Sequence, residues 1–208
     1  MRPTASNPAN LPFNPLCYWR YSPNNAAIAF GFSIVVIAAW AILISTGHKA
    51  SIPTKNGGET PIYWFAFGAL ATLGFYTYLK SKKFKTGDAN PGVLVSLNPP
   101  LLAVYTDLAK DEGEFPAIKI VKTKITSAKG KPVKVGTCIP TVSQYLDSAG
   151  RDAMHWGDFE PEPAAYATND EDSINRLAST FDKEQLVVLS ESLKKIPRPF
   201  EPGLYTLW

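Results

Sequence analysis

Two long apolar runs without charge constrain this chain more than any other feature. Residues 26–46 read AAIAFGFSIVVIAAWAILIST and residues 61–79 read PIYWFAFGALATLGFYTYL, and neither run holds a charged residue. A helix of about 20 apolar residues spans the hydrocarbon core of a bilayer, and lipid requires that every backbone polar group be bonded within the segment. The sequence therefore predicts two transmembrane helices, at residues 26–46 and 61–79.

Two other interpretations of these runs are weaker. A helical hairpin buried in a soluble core normally keeps a polar face, and neither run has one. A cleavable signal peptide would have a shorter apolar region followed by a site of small residues, and no such site follows the first run.

Aromatic residues with polar tips border both runs. Trp and Tyr rings favour the level of the lipid headgroups, where an apolar ring and a polar atom are both satisfied. The predicted interfacial aromatic residues are Trp19, Tyr63, Trp64, Tyr76 and Tyr78.

Lysines beyond the second run predict the orientation in the membrane. Four of them follow the run, at Lys80, Lys82, Lys83 and Lys85, whereas the loop 47–60 holds two. Positive flanks favour the cytoplasm and attract anionic headgroups. The sequence thus predicts a multi-pass protein of the cell (inner) membrane with both termini cytoplasmic. Residues 1–25 form a cytoplasmic segment and 47–60 an extracytoplasmic loop.

Charge and cysteine content separate the two parts of the chain. Residues 1–87 hold eight Lys/Arg and one acid (+7), and residues 88–208 hold thirteen and seventeen (−4), which together give the net charge of +3. This asymmetry indicates two environments. Two cysteines are too few for a disulfide-stapled secreted domain, so a reducing compartment is favoured.

A basic linker at 80–91 is predicted to lead into a cytoplasmic α+β domain at 92–208. Short β-prone runs separated by turns indicate a small antiparallel β-barrel or meander. An irregular acidic segment at 147–168 follows. Two C-terminal helices come next, with Thr168 and Asp182 as their predicted N-caps because Glu or Gln stands three residues after each. The fold class is therefore a membrane-anchored α+β protein.

Several short segments after residue 90 resemble a known bacterial family. They are NPGVLVSLNPPLLAVYTDL, FPAIKIVK, KVGTCIPTVSQY, HWGDFEPEP and IPRPFEPGLYTL. On these segments, residues 90–208 are identified as a member of the domain-of-unknown-function family DUF3239. The resemblance implies that residues 90–208 are one unit, and it implies no activity.

One group of residues is a candidate for catalysis or metal binding. His155, Asp158 and Glu160 lie close in sequence and could serve a membrane-anchored enzyme, with Cys138 as a further metal ligand on paper. Prolines 161 and 163 hold the acidic stretch extended and limit how closely its carboxylates converge. We therefore predict no catalytic residue, no metal and no cofactor, and a structural role for His155.

The last cluster of charge is a run of lysines in the β-prone region. Lys119, Lys122 and Lys124 are predicted to contact the membrane surface or a protein partner, as are the four lysines that follow the second run. A nucleic-acid-binding barrel is the other interpretation, which the net acidic domain disfavours. The predicted function is a membrane-tethered interaction or structural module, such as an accessory subunit of a membrane complex. Its predicted partners are the lipid bilayer and another membrane protein.

Overall fold

Helices contain most of both apolar runs in the computed structural model of this chain. The structure describes residues 6–47, 51–53, 59–61, 63–110, 113–125, 127–128, 131–147, 149 and 153–208. Its elements group into two compact units, one formed by Met1–Cys17 with Ser81–Trp208 (the composite unit) and one by Tyr18–Lys80 (the helical unit). A short helix, α1 (Pro15–Tyr21), crosses the boundary between the two in sequence.

The helical unit contains α2 (Pro23–Ser45) and most of α3 (Tyr63–Thr86), with a two-stranded ribbon between them in sequence. The ribbon pairs β1 (Ser51–Pro53) antiparallel to β2 (Glu59–Pro61). Ser33 Oγ of α2 lies 2.8 Å from Ala29 O and 3.3 Å from Ala66 O of α3. Small residues at such a contact let two helix backbones approach closely.

Large apolar side chains cover the outside of the helical unit. Ile28, Ile34 and Ile42 of α2 are at least half exposed, as are Trp64 and Phe75 of α3. A soluble helix pair would bury such side chains. Among the described residues, Ala26–Ser45 is the one helical segment long and apolar enough to cross a membrane by length and composition. The polar and small residues of α3 lower its mean hydropathy, so composition alone does not establish the second predicted span.

The composite unit is built on a six-stranded antiparallel sheet in the order β10-β5-β4-β3-β8-β9. Its strands are β3 (Asp88–Leu97), β4 (Pro100–Asp107), β5 (Pro116–Lys122), β8 (Cys138–Leu146), β9 (Asp158–Pro163) and β10 (Gly203–Thr206). A small hairpin of β6 (Ser127–Ala128) and β7 (Lys131–Pro132) stands apart from this sheet. The predicted antiparallel strands are confirmed, but the sheet curls into a half-barrel and does not close.

Each face of the sheet has its own apolar core. On the concave face, Leu94, Leu102 and Val104 pack with Phe159. On the other face, Leu101, Ala103, Ile118 and Ile120 pack against Leu189 and Ile196. Burial on both faces explains why β5 lacks a clean alternation of apolar and polar residues. The register of β3 with β4 shifts between Leu94 and Ser96.

Two helices precede the last strand, as predicted. They are α4 (Glu171–Ser179) and α5 (Lys183–Ser192), after a 3-10 turn at Ala164–Tyr166. Asp182 forms the predicted capping box with Gln185. The predicted cap at Thr168 is wrong, because the Asp170 carboxylate accepts the Asp172 N–H and caps α4. A carboxylate suits the positive end of the helix dipole better than a hydroxyl does.

Three predicted boundaries need correction. The predicted linker 80–91 lies in α3 and β3, because lysine is a good helix former and continues the helix to Thr86. The predicted irregular segment 147–168 contains β9, whose two prolines are tolerated because β9 is an edge strand. The predicted cytoplasmic segment 1–25 is not separate, since residues up to Cys17 belong to the composite unit.

Gly87 forms the junction between α3 and β3. A Cβ at this position would lie 2.6 Å from Lys83 O and 2.8 Å from Ser143 O, both backbone atoms. The Gly87 N–H donates to Lys83 O at 2.7 Å, and the Gly87 carbonyl accepts from Ala9 N at 3.0 Å. Only glycine leaves room for the strand to start directly after the helix.

Candidate functional site

The lysines predicted as surface contacts fall into two groups in the structure. The Lys83 side chain is 2 % exposed and its Nζ lies 3.0 Å from Glu162 Oε1. The Lys119 side chain is 17 % exposed, and its Nζ lies 2.8 Å from both oxygens of Asp158. The prediction that these two lysines contact a membrane or a partner is wrong, because the carboxylates of β9 bind them inside the composite unit.

The other predicted lysines are accessible. Lys82, Lys85, Lys122 and Lys124 are exposed. Lys80 is half-buried, with its Nζ 5.7 Å from the ring centroid of Tyr18 and 5.6 Å from that of Tyr76. An ammonium within about 6 Å of an aromatic face is held there by the ring quadrupole. These five lysines stay predicted contacts for lipid or a partner.

The aromatic residues predicted at the membrane interface divide in a similar way. Trp64 is 57 % exposed and Tyr78 is 62 % exposed. Trp19 and Tyr76 are half-buried, with Trp19 edge-on to Phe30 at 5.8 Å between centroids. The side chain of Tyr63 lies outside what the structure describes. The exposed rings stay candidates for the headgroup level.

The acidic strand β9 uses its carboxylates in structural contacts. Asp158 accepts from Lys119 and also from the Phe159 N–H at 2.7 Å. Glu162 accepts from Lys83, while Glu160 is exposed. Two of the three alternating acids are thus neutralised by lysines of the same unit. A carboxylate that an ammonium of the same unit already binds is not free to contact a substrate.

His155 lies in an aromatic corner. Its Nδ1 lies 2.9 Å from the Trp156 carbonyl oxygen, and its ring packs 4.9 Å from Phe115 and 5.3 Å from Trp208. Its neighbours are therefore rings and a carbonyl, while those of Asp158 are Lys119 and a backbone amide. In the described part of the chain, no group of three or more His, Cys, Asp and Glu side chains could hold a metal ion.

A buried polar cluster that the sequence does not predict lies on the concave face of the sheet. The Tyr145 hydroxyl donates to Asp88 Oδ2 at 2.7 Å and lies 2.7 Å from Thr106 Oγ1. Thr106 Oγ1 donates to Asn90 Oδ1 at 3.4 Å. Ser143 stands opposite Asp88 in the register of β3 and β8. The cluster joins three strands at the end of the sheet where β3 begins.

The amino-terminal residues close this cluster. The Asn7 N–H donates to Asp88 Oδ1 at 2.9 Å, and the Ser6 hydroxyl lies 3.3 Å from the same oxygen. Asn7 O accepts from Ala89 N at 2.8 Å, which continues the pairing along β3. We call residues 6–14 the amino-terminal strap. Its contacts with β3 are separated by about 80 residues in sequence, so no local pattern announces them.

The burial of Tyr145 makes a testable prediction about pH. Burial, and next the charge of Asp88, raise the pKa of Tyr145. Since the raised pKa belongs to the folded state, Tyr145 stabilises the fold fully below the ordinary tyrosine pKa of about 10. We expect the free energy of unfolding to fall as pH rises above about 10, and to fall less steeply in Tyr145→Phe.

Chemical denaturation at a series of pH values checks this. Tyr205→Phe is the matched control, because Tyr205 is partly exposed at the sheet edge. An alkaline slope that is equal in Tyr145→Phe and in the unchanged protein would contradict the assignment.

Two comparisons with known proteins find similarity to the composite unit. The family described as "Protein of unknown function (DUF3239)" matches residues 79–197. This match covers more than half of the chain, so the chain belongs to that family. The predicted resemblance is confirmed, and the matched region runs from the end of the helical unit to Pro197, which lies beyond the end of α5 at Ser192.

A solved structure shows the same fold. It is described as a "putative membrane protein from Corynebacterium diphtheriae", and it is similar with a TM-score of 0.50 and 28% sequence identity. The similarity covers 58% of this chain and 100% of that chain. A comparison with curated proteins found no match. The comparisons thus give a fold, a family and an association with membrane proteins, and they name no activity.

Proposed function

We propose that this protein is a membrane-tethered interaction module of a bacterial inner membrane. In this proposal the helical unit is a two-span anchor and the composite unit is a cytoplasmic domain that binds another membrane protein. The observation that carries the proposal is that the composite unit includes residues that precede the helical unit in sequence and residues that follow it.

The connectivity of the composite unit supports two spans. Residues before α2 pack against the last turns of α3 and against β3, which belong to the same unit. Leu11 N donates to Phe84 O at 3.1 Å, the rings of Phe13 and Phe84 stack at 5.8 Å between centroids, and Ala89 N donates to Asn7 O at 2.8 Å. A folded unit cannot be divided by a bilayer, so both segments lie on the same side. The chain between them must then cross an even number of times. Since α2 has the length and composition of a span, α3 supplies the return crossing.

The charge around the anchor supports the cytoplasmic side for the composite unit. Lys80, Lys82 and Lys85 follow the apolar part of α3, and a positive excess marks the cytoplasmic flank of a span. Each lysine near an anionic surface adds about 1 kcal/mol of attraction.

The contacts of the candidate catalytic residues support a binding role over an enzymatic one. Asp158 and Glu162 are held by lysines, and the ring of His155 is packed between aromatic residues. The composite unit meanwhile exposes apolar side chains away from its cores, such as Leu97 and Val135.

Purification of the intact protein from its native membrane tests the proposal. We expect a stoichiometric second protein to co-purify with the full chain. This second protein should still co-purify when the helical unit is replaced by an unrelated two-span hairpin, because the composite unit binds the partner. A full chain that purifies alone from mild detergent, or a partner that follows the helical unit alone, would contradict the proposed role.

A further inference from the structure

A cleft lies on the convex side of the composite unit, at the far end of β3 from Gly87. It has a volume of about 340 Å³, and its lining includes Val95, Asn98, Pro99, Leu101, Arg198 and Phe200. One wall is the turn between β3 and β4, and the other is the segment that leads from α5 to β10. The floor is apolar, because Leu101 and Phe200 belong to the core on that face.

One cation lines this cleft, and a second lies across the β4–β5 pairing from its floor. Arg198 is exposed, and its guanidinium carbon lies 5.3 Å from the centroid of the Phe200 ring. Lys122 stands directly opposite Leu101 in the register of β4 and β5. Cross-strand partners point to the same face, so the Lys122 side chain leaves the sheet beside the Leu101 floor.

Within the described residues, neither cation has a carboxylate partner at ion-pair distance, in contrast to Lys83 and Lys119. Glu201 is the nearest acid along the chain to Arg198, and it is exposed. The guanidinium lies over the Phe200 ring, within the range of a cation–π contact. Arginine in this setting binds carboxylates in a bidentate manner.

We propose that this cleft binds a segment of a partner protein in which an acidic residue adjoins a large apolar one. The carboxylate is bound by Arg198 with support from Lys122, and the apolar side chain lies on Leu101 and Phe200. The volume suits one or two side chains, since it is near the lower limit of ligand pockets. This inference rests on the proposed interaction role and specifies the chemistry of the partner.

A protein segment fits the cleft better than a bare anion does. Inorganic phosphate would use the cations and leave the Leu101–Phe200 floor in contact with water. The floor adds apolar area to the charge contact, and an apolar contact of this kind distinguishes a peptide from an ion. The cleft also lies at the opposite end of β3 from Gly87, about 30 Å along the strand at 3.3 Å per residue.

The test measures methyl chemical shifts of Val95 and Leu101 in the full chain, held in micelles of an uncharged detergent. The probe is the blocked tripeptide acetyl-Glu-Leu-Glu-amide, and its matched control is acetyl-Gln-Leu-Gln-amide. We expect saturable shifts with the acidic peptide and binding about tenfold weaker with the neutral one, which corresponds to roughly 1.4 kcal/mol. The Arg198→Gln variant should lose the shifts, whereas Lys195→Gln, an exposed position outside the cleft lining, should keep them.

Three results would overturn the inference. One is equal binding of both peptides. Another is a response to inorganic phosphate at the same concentrations, which would show a general anion site. The third is a response to nanodiscs that contain phosphatidylglycerol in the absence of peptide, which would assign the cleft to lipid. If the tripeptide does not bind while a partner still co-purifies with Arg198→Gln, the cleft assignment fails and the proposed function stands.

Discussion

Leu11→Ala is expected to lower the free energy of unfolding of the composite unit by about 2–5 kcal/mol. Leu11 is 1 % exposed, although it precedes the first membrane helix by a short stretch of chain. Its backbone N–H donates to Phe84 O, so its position against the end of α3 is fixed. Loss of the side chain leaves a cavity beside Phe84, which is itself fully buried. Hydrogen exchange of the sheet amides in nanodiscs measures the change.

Leu16→Ala is the matched control, because Leu16 follows Leu11 closely in sequence and is 72 % exposed. We expect this change to stay within about 0.5 kcal/mol. Deletion of residues 1–14 should exceed the effect of Leu11→Ala, since it also removes the Asn7 N–H from Asp88 and Phe13 from Phe84. Equal stability of Leu11→Ala and Leu16→Ala would show that the strap is not part of the folded unit.

Lys83→Ala is expected to cost about 3–5 kcal/mol, because it leaves the Glu162 carboxylate without its ammonium partner. The Lys83 side chain is 2 % exposed and Glu162 is 17 % exposed, so water screens this pair little. Chemical denaturation of the full chain measures the loss. Lys85→Ala is the matched control, since Lys85 is exposed two residues further along the same helix.

Substitution of Glu162 together with Lys83 distinguishes loss of the ion pair from loss of packing. The double variant Lys83→Met with Glu162→Leu removes both charges at similar volume, and it should recover much of the stability lost in Lys83→Ala. Losses that are equal for Lys83→Ala and Lys85→Ala would contradict the buried pair. They would return Lys83 to the group of surface lysines that the sequence predicts.

The sequence predicts the elements whose signals are local. Helices contain most of both apolar runs. The strands β3, β4 and β5 lie where β-prone runs indicate strands, and Asp182 caps α5. The edge strand β9 was beyond a local argument, because its prolines argue against a strand unless the strand lies at an edge. Position in a sheet is a property of the whole fold, and a short pattern does not contain it.

The candidate site depends on contacts between distant segments. Asp88, Tyr145 and Asn7 form one cluster although long stretches of chain separate them. The sequence marks Lys83 and Lys119 only as charges, and their burial depends on the carboxylates that β9 places opposite them. The apolar residues of NLPFNPL before the first run were the one local signal that the amino terminus is buried in a core.

The central claim is that both chain ends lie on one side of the membrane and that α2 and α3 cross it as a pair. The accessibility of single cysteines to a thiol reagent tests this claim most directly. Cys138 is an exposed native cysteine of the composite unit, and Cys17 is buried. Thr46→Cys adds an exposed thiol at the other end of α2. With a membrane-impermeant maleimide on spheroplasts, position 46 should react at once and Cys138 only after the membrane is opened. Reaction of both thiols in intact spheroplasts, or of Cys138 alone, would contradict the two-span hairpin with a cytoplasmic domain.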